Sequence, residues 1–238
     1  MDFADLLTTS GRRIMEGRDR TVGGALADPA QRFLSLGGIL IPERAEKLMG
    51  SLDRHVFETL PEVSHPIPEN ALRKAKKNYA EKLTKTMRWK TSLMQNMRSR
   101  SALAAKRAGV VDLLKSESFF RFAEALAGRP LRKSWGIQVS CYRHGDYSGP
   151  HTDHHPEDKR ARDGYVDIHV SLANDAVAHQ YLVYENDGHF SESVLVSTLG
   201  GITAYRLPFW HYTTPLVAKP GRETEARRWL LLGTFLYA

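Results

Sequence analysis

The chain has 238 residues, 42% hydrophobic and 26% charged, ordinary proportions for a globular domain that buries a core without staples. Its single cysteine, Cys141, excludes an intrachain disulfide and fits a reducing, cytoplasmic setting. No stretch of signal-peptide character opens the chain, and the longest apolar run, Trp229 to Ala238, is far short of the ~20 residues that span a bilayer, so no membrane segment is expected.

The first third reads as helical with one strand. Phe33 to Ile41 (FLSLGGILI) has strand character. Pro42 then opens a helix at its first turn, where a missing N–H costs nothing, and Ala45, Leu48, Met49 and Leu52 give that helix an apolar stripe. A loop containing Pro61, Pro66 and Pro68 follows. Residues 70–107 are strong helix formers and read as one or two long basic helices. The net charge is +7, yet Ala71 to Gly109 holds twelve Lys or Arg and one acid, Glu81; that segment is +11 and the remainder −4 (7 − 11). The stretch 71–107 is either a solvated helical face or a surface for an acidic partner such as a nucleic acid or carrier protein. Its aromatics are only Tyr79 and Trp89, which gives base stacking little to work with. Residues 117–127 (ESFFRFAEALA) form a short amphipathic helix that Gly128 and Pro130 stop.

From residue 131 the pattern changes to short strands. In 135–142 (WGIQVSCY), Ile137, Val139 and Cys141 face one way and Gln138, Ser140 and Tyr142 the other, so Cys141 is expected to be a buried, inert thiol. In 165–172 (YVDIHVSL), Val166, Ile168, Val170 and Leu172 oppose Asp167, His169 and Ser171. Further strands are expected at 180–184, 193–197, 202–206, 211–218 and 228–237. Many short strands between Gly, Asp and Asn turns argue for a sandwich or barrel. Residues 1–130 are therefore expected to pack, as a helical region with one strand, on a β core of residues 131–238.

The chemistry concentrates in Cys141 to Glu157 (CYRHGDYSGPHTDHHPE). His151 and Asp153 form an H-x-D triplet, and side chains at i and i+2 of an extended segment share a face, so an imidazole and a carboxylate can meet one metal. His211, 58 residues after Asp153 (211 − 153), is the best second imidazole; its rival His189 sits in a polar turn, and His154 and His155 adjoin the triplet without needing to bind. Two histidines and one carboxylate leave three positions of an iron(II) open. A dianionic 2-oxo acid then needs a cation for its distal carboxylate, which arginine supplies best. The alternative is a surface loop with local hydrogen bonds.

With these residues in view, the chain resembles the 2-oxoglutarate/iron(II) dioxygenase superfamily, especially its prolyl-hydroxylase-like branch. The resemblance spans about Trp135 to Phe235. It rests on Tyr142-x-x-Gly145-Asp146-x-x-x-x-His151-x-Asp153, on Gly200-Gly201-Ile202-Thr203-Ala204-Tyr205 leading to His211-x-x-x-Pro215, on Arg228-Trp229-Leu230-Leu231-Leu232, and on the early GGILIPERAEKL lead-in. It implies a mainly β fold with N-terminal helices, in which a double-stranded β-helix (jelly-roll) core is flanked by α-helices. It implies Fe(II) on His151, Asp153 and His211, 2-oxoglutarate as co-substrate, O2 as oxidant, and hydroxylation of a substrate as 2-oxoglutarate becomes succinate. It places an arginine on the last strand and a tyrosine at Tyr142 beside the distal carboxylate. Arg228 is preferred over Arg227 and Arg222 because it opens an apolar strand, and on that register Thr234 also faces inward and is expected, with Arg228 and Tyr142, to bind the co-substrate; Tyr142 could equally be a packed strand aromatic. A carboxylate at Asp153 argues against a halogenase. Gln138, Ser140, Asp167 and His169 are the candidate substrate contacts, although His169 could be an ordinary sheet residue. A small-molecule substrate is expected, with the acidic macromolecule docked on 71–107 as the alternative. A jelly-roll binding module with zinc is the reading outside this chemistry.

Overall fold

The computed structural model describes residues 2–65, 89–94, 96–151, 164–207 and 210–238. Asp153, His154 and His155, and the basic stretch up to residue 88, lie outside the described residues.

The N-terminal region contributes helices α1 (Phe3–Leu6), α2 (Thr9–Met15), α3 (Pro42–His55), α4 (Arg100–Arg107), α5 (Val110–Leu114) and α6 (Glu117–Ala127). Proline stands at the start of α3 as expected. Helix α6 is capped by Ser116, whose side chain accepts from Phe119 N, and ends at Gly128 with φ 63°. A Cβ at Gly128 would lie 2.5 Å from Gly24 Cα, so only glycine serves both the left-handed turn and the close approach.

The strands are β1 (Phe33–Leu36), β2 (Glu62–His65), β3 (Trp89–Leu93), β4 (Leu131–Arg143), β5 (Tyr147–His151), β6 (Tyr165–Ala173), β7 (Val177–His179), β8 (Tyr181–Asn186), β9 (His189–Leu195), β10 (Leu199–Arg206), β11 (His211–Thr213), β12 (Val217–Ala218) and β13 (Arg227–Tyr237). Four expectations need correction. The described part of residues 1–130 holds three strands rather than one, and β2 lies in the expected proline-containing loop, where pairing with β3 fixes it. Residues 89–93 are a strand, not part of a basic helix; β3 pairs with β2, β4 and β5, and that sheet context outweighs local propensity. β1 stops at Leu36, where Gly38 turns the chain at φ 66°. The expected strand 211–218 divides into β11 and β12, because Pro215 between them has no N–H for a ladder.

The sheet order is β1-β10-β6-β13-β4-β3-β5-β11-β8-β9, and every pairing along it is antiparallel. Strand β3 links the two halves: its Ser92 and Leu93 pair with β4, and its Trp89 and Lys90 with β5. The chain is mainly β, with antiparallel sheets in a jelly-roll arrangement flanked by helices. One face of the β10-β6-β13-β4 half is apolar. Val139, Cys141, Val166, Ile168, Val170, Leu172, Trp229, Leu231 and Phe235 join Phe3, Leu6, Leu48, Leu52, Phe119 and Phe122 from the helices in a single core. At Gly233 a Cβ would meet Phe119 at 2.5 Å, so the absent side chain lets α6 press against β13. Burial pushes the Cys141 thiol pKa up, which keeps it protonated and unreactive as expected. The other face of these strands turns toward β5, β11 and β8 and lines a cavity.

Candidate functional site

The cavity, about 360 Å³, opens between the two halves of the sheet. That volume lies at the small end of ligand pockets. Strand alternation decides what lines it. On β4 the inward residues include Gln138, Ser140 and Tyr142; on β6, His169; on β13, Arg228, Leu230, Leu232 and Thr234. The opposite wall supplies Ser148 and His151 from β5 and His211 and Thr213 from β11.

Register brings the two histidines together. His211 on β11 is the direct cross-strand partner of His151 on β5, and their ring centroids lie 4.4 Å apart. His151 Nδ1 lies 2.6 Å from Gly149 O. A carbonyl only accepts, so Nδ1 is the donor here, the arrangement that suits a histidine binding metal through Nε2. Tyr205 Oη on β10 sits 3.3 Å from His211 Nε2 and 2.8 Å from His169 Nε2. Burial, with His211, Arg228 and His151 close by, holds the His169 pKa well below the usual histidine range, so it is neutral at pH 7. Among the described residues no third His, Cys, Asp or Glu completes a metal set with this pair. The carboxylate expected of Asp153 lies outside them, two residues beyond the end of β5.

Arg228 occupies one end of the cavity and is 2% exposed. Its Nε donates to Ser171 Oγ at 2.8 Å and Val196 O at 3.0 Å, and its Nη1 to Gln180 Oε1 at 2.9 Å. No carboxylate pairs with it among the described residues. Burial pushes its pKa down to about 10, opposed by the Tyr142 and Tyr205 phenols, so it stays charged at pH 7. The Tyr142 ring centroid lies 5.4 Å from its guanidinium carbon, and Tyr142 Oη is 3.1 Å from Ser148 Oγ. The Gly145-Asp146 motif builds the turn behind this corner: Gly145 takes φ 82°, Asp146 Oδ2 accepts from Arg143 N at 2.9 Å, and Gly145 N donates to Leu216 O.

The three arginines part company. Arg222 lies on the surface, bound to Asp175 and Glu225. Arg227 faces the other side of β13, over the Phe57 ring. Arg228 alone of the three lines the cavity. His189 is exposed at the start of β9, away from the cavity lining.

Two placements differ from expectation. Thr234 does line the cavity, but it stands six residues from Arg228 on β13, about 20 Å at roughly 3.3 Å per residue, and pairs with Gly136 where Arg228 pairs with Tyr142. A carboxylate held by Arg228 is out of its reach. Asp167 shares the inward side of β6 but is 1% exposed and lies outside the cavity lining, in register with Thr234 and Tyr205. Gln138, Ser140 and His169 do line it; Gln138 Nε2 donates to Met94 O at 2.8 Å.

Sequence reasoning missed Gln180, Tyr205, Ser148 and Thr213 as site residues. Tyr205 lies within the quoted glycine-rich block, and Ser171 shares the polar side of β6 with His169. Gln180 gives no signal at all, because its contact is 48 residues away.

No family model matches the chain, and no curated protein matches it. Solved structures do. A prolyl-4-hydroxylase from Pseudomonas putida is similar with a TM-score of 0.51 and 14% identity, over 90% of this chain and 97% of that one. A prolyl hydroxylase from Trichoplax adhaerens, in complex with a hypoxia inducible factor peptide fragment, gives 0.54 and 14%, over 95% and 90%. An oxidoreductase of the 2OG-Fe(II) oxygenase family from Burkholderia pseudomallei gives 0.52 and 11%, over 95% and 90%. The fold is therefore the one shared by prolyl hydroxylases and other 2-oxoglutarate/iron(II) oxygenases.

Proposed function

We propose that the cavity is the active site of an iron(II)/2-oxoglutarate-dependent oxygenase that hydroxylates a small-molecule or amino-acid-like substrate. One observation carries this reading: two imidazoles paired across β5 and β11 share one cavity with a buried arginine whose charge no described residue neutralises. His151 and His211 would hold the iron, with Asp153 as the third ligand. When bound, the iron supplies dioxygen activation coupled to oxidative decarboxylation of 2-oxoglutarate to succinate.

This chain's own groups do the rest. Arg228 receives the distal carboxylate of 2-oxoglutarate, with Tyr142 and Ser148 beside it. The small cluster of Tyr142, Ala173, Ala176, Val177, Leu216, Ala218, Ala226 and Leu230 closes that end against water. Neutral His169 and Tyr205 border the imidazole pair. Gln138, Leu232 and Thr234, farther along the strands, are left for the substrate. The test is an anaerobic calorimetric titration of 2-oxoglutarate into iron-loaded protein, followed by a succinate assay with and without iron and reductant. Binding that needs iron, and succinate that needs both, are expected; a protein that takes up neither iron nor 2-oxoglutarate sinks the reading.

A second reading keeps this chemistry but puts the substrate on an acidic macromolecule. It is favoured by a surface groove where Arg100 and Arg107 of α4 flank Leu103, which is 50% exposed, beside His55 and Thr59. Neither arginine forms an ion pair among the described residues. Macromolecule-dependent succinate formation that falls steeply with salt would favour it, and salt-independent turnover of a free small molecule would exclude it.

A further inference from the structure

The Arg228 end of the cavity keeps a full positive charge with no counter-ion among the described residues, and the residues around it explain how. We propose that Gln180 is the positioning residue that makes this cavity select a dicarboxylate: it locks the Arg228 guanidinium while leaving its charge unneutralised. The inference rests on the co-substrate reading above.

Gln180 is 0% exposed and fixed at every polar atom. The guanidinium can only donate, so the amide atom 2.9 Å from Arg228 Nη1 must be Oε1. Its Nε2 then donates to Thr214 O at 2.9 Å and Asp146 O at 3.3 Å, which settles the amide orientation from both sides. Its main-chain N–H donates to Ser197 Oγ, and its carbonyl accepts from Val196 N. The acceptor offered to Arg228 therefore has no freedom to move away.

The remaining holders of Arg228 are also uncharged. Nε is shared between Ser171 Oγ and Val196 O, and Ser171 Oγ itself donates to Val196 O. Of five guanidinium N–H bonds, the one on Nε and one on Nη1 are taken by the protein. The terminal pair, Nη1 and Nη2, is what a ligand can meet, so its carboxylate must dock end-on. A glutamate in place of Gln180 would fill the same volume and cancel the charge internally. The choice of amide over carboxylate thus decides whether Arg228 is a structural ion pair or a binding group.

The experiment compares two ligands on iron-loaded protein without dioxygen, read by calorimetry. 2-Oxoglutarate carries the distal carboxylate; 2-oxobutyrate keeps the 2-oxo acid end and lacks it. Wild type should prefer 2-oxoglutarate by about ten- to a hundredfold, the range of one or two charge-assisted bonds. Gln180→Leu loses the anchor but leaves Arg228 charged, so the preference falls severalfold without disappearing. Gln180→Glu neutralises the guanidinium, so the preference collapses toward unity while 2-oxobutyrate affinity holds. Thermal melts report folding of each variant. Should Gln180→Glu not fold, Ser171→Asp brings the same charge to the Nε side and is read in the same way. Equal loss of preference in the Leu and Glu variants assigns Gln180 a merely structural role and overturns the inference. So does a Leu or a Glu variant with unchanged preference. A wild type that binds 2-oxoglutarate no better than 2-oxobutyrate overturns the co-substrate reading first, and the inference with it.

Discussion

Strands β6, β13 and β4 carry two chemistries back to back. Toward the helices they present Val139, Cys141, Ile168, Val170, Trp229 and Leu231, all fully buried and joined to one apolar core. Toward the cavity they present Gln138, Ser140, Tyr142, His169 and Arg228, also largely buried but each with a polar partner or an open cavity beside it. Burial alone therefore does not separate core from site in this protein. On the helix side, burial removes apolar surface from water and stabilises the fold. On the cavity side, burial of a guanidinium and of imidazoles costs stability and leaves groups poised for a ligand.

The comparison can be broken from either side. The largest effect is expected on the helix side. Trp229 lies at the centre of the core, and its Nε1 donates to Asp53 Oδ1 at 2.8 Å. Trp229→Ala should cost about 3–5 kcal/mol of stability by cavity formation and by orphaning Asp53. Denaturant unfolding measures it, and where the variant is folded it should still bind 2-oxoglutarate. A variant with unchanged stability would contradict the packing described.

On the cavity side, His211→Ala should leave the melting temperature within a few degrees of wild type and lower iron retention and succinate formation by at least about a hundredfold, beyond the 10–100-fold common for residues that only support a ligand. His189→Ala, on the exposed rival, should change neither. Reversed behaviour of the two variants would remove the centre from the cavity.

The smallest effect is expected where an arginine is exposed. Arg222 is bound by Asp175 and Glu225 at the surface, whereas Arg228, six residues on, is sealed inside. Arg222→Ala should change stability little, as loss of a surface pair does, and leave 2-oxoglutarate affinity untouched. A large loss of affinity would reverse the assignment of the two arginines.

Much of this was legible in the residues. The alternation in 135–142 and 165–172 separated the two faces correctly, because the period of a strand is a local property. The preference for Arg228 over Arg222 followed from the apolar run it opens, and the structure puts the first in the cavity and the second on the surface. Less legible were positions whose meaning depends on distance along the cavity. Thr234 and Asp167 face the right way, but facing inward does not say at which end of a long strand a ligand lies. The strand at 89–93 was hidden in a basic, helix-favouring stretch because its reason is the gap between β4 and β5 that it bridges.

By itself, the amino-acid order determined which residues alternate, where the glycine and proline breaks fall, and which imidazoles and arginines are available for chemistry. Those are short-range consequences of backbone geometry and side-chain type. Only the tertiary structure decided that His211 stands across from His151, that Arg228 is held by neutral acceptors, and that Gln180 is one of them. Each of these is a contact between segments dozens of residues apart, set by strand register and sheet closure rather than by any local pattern.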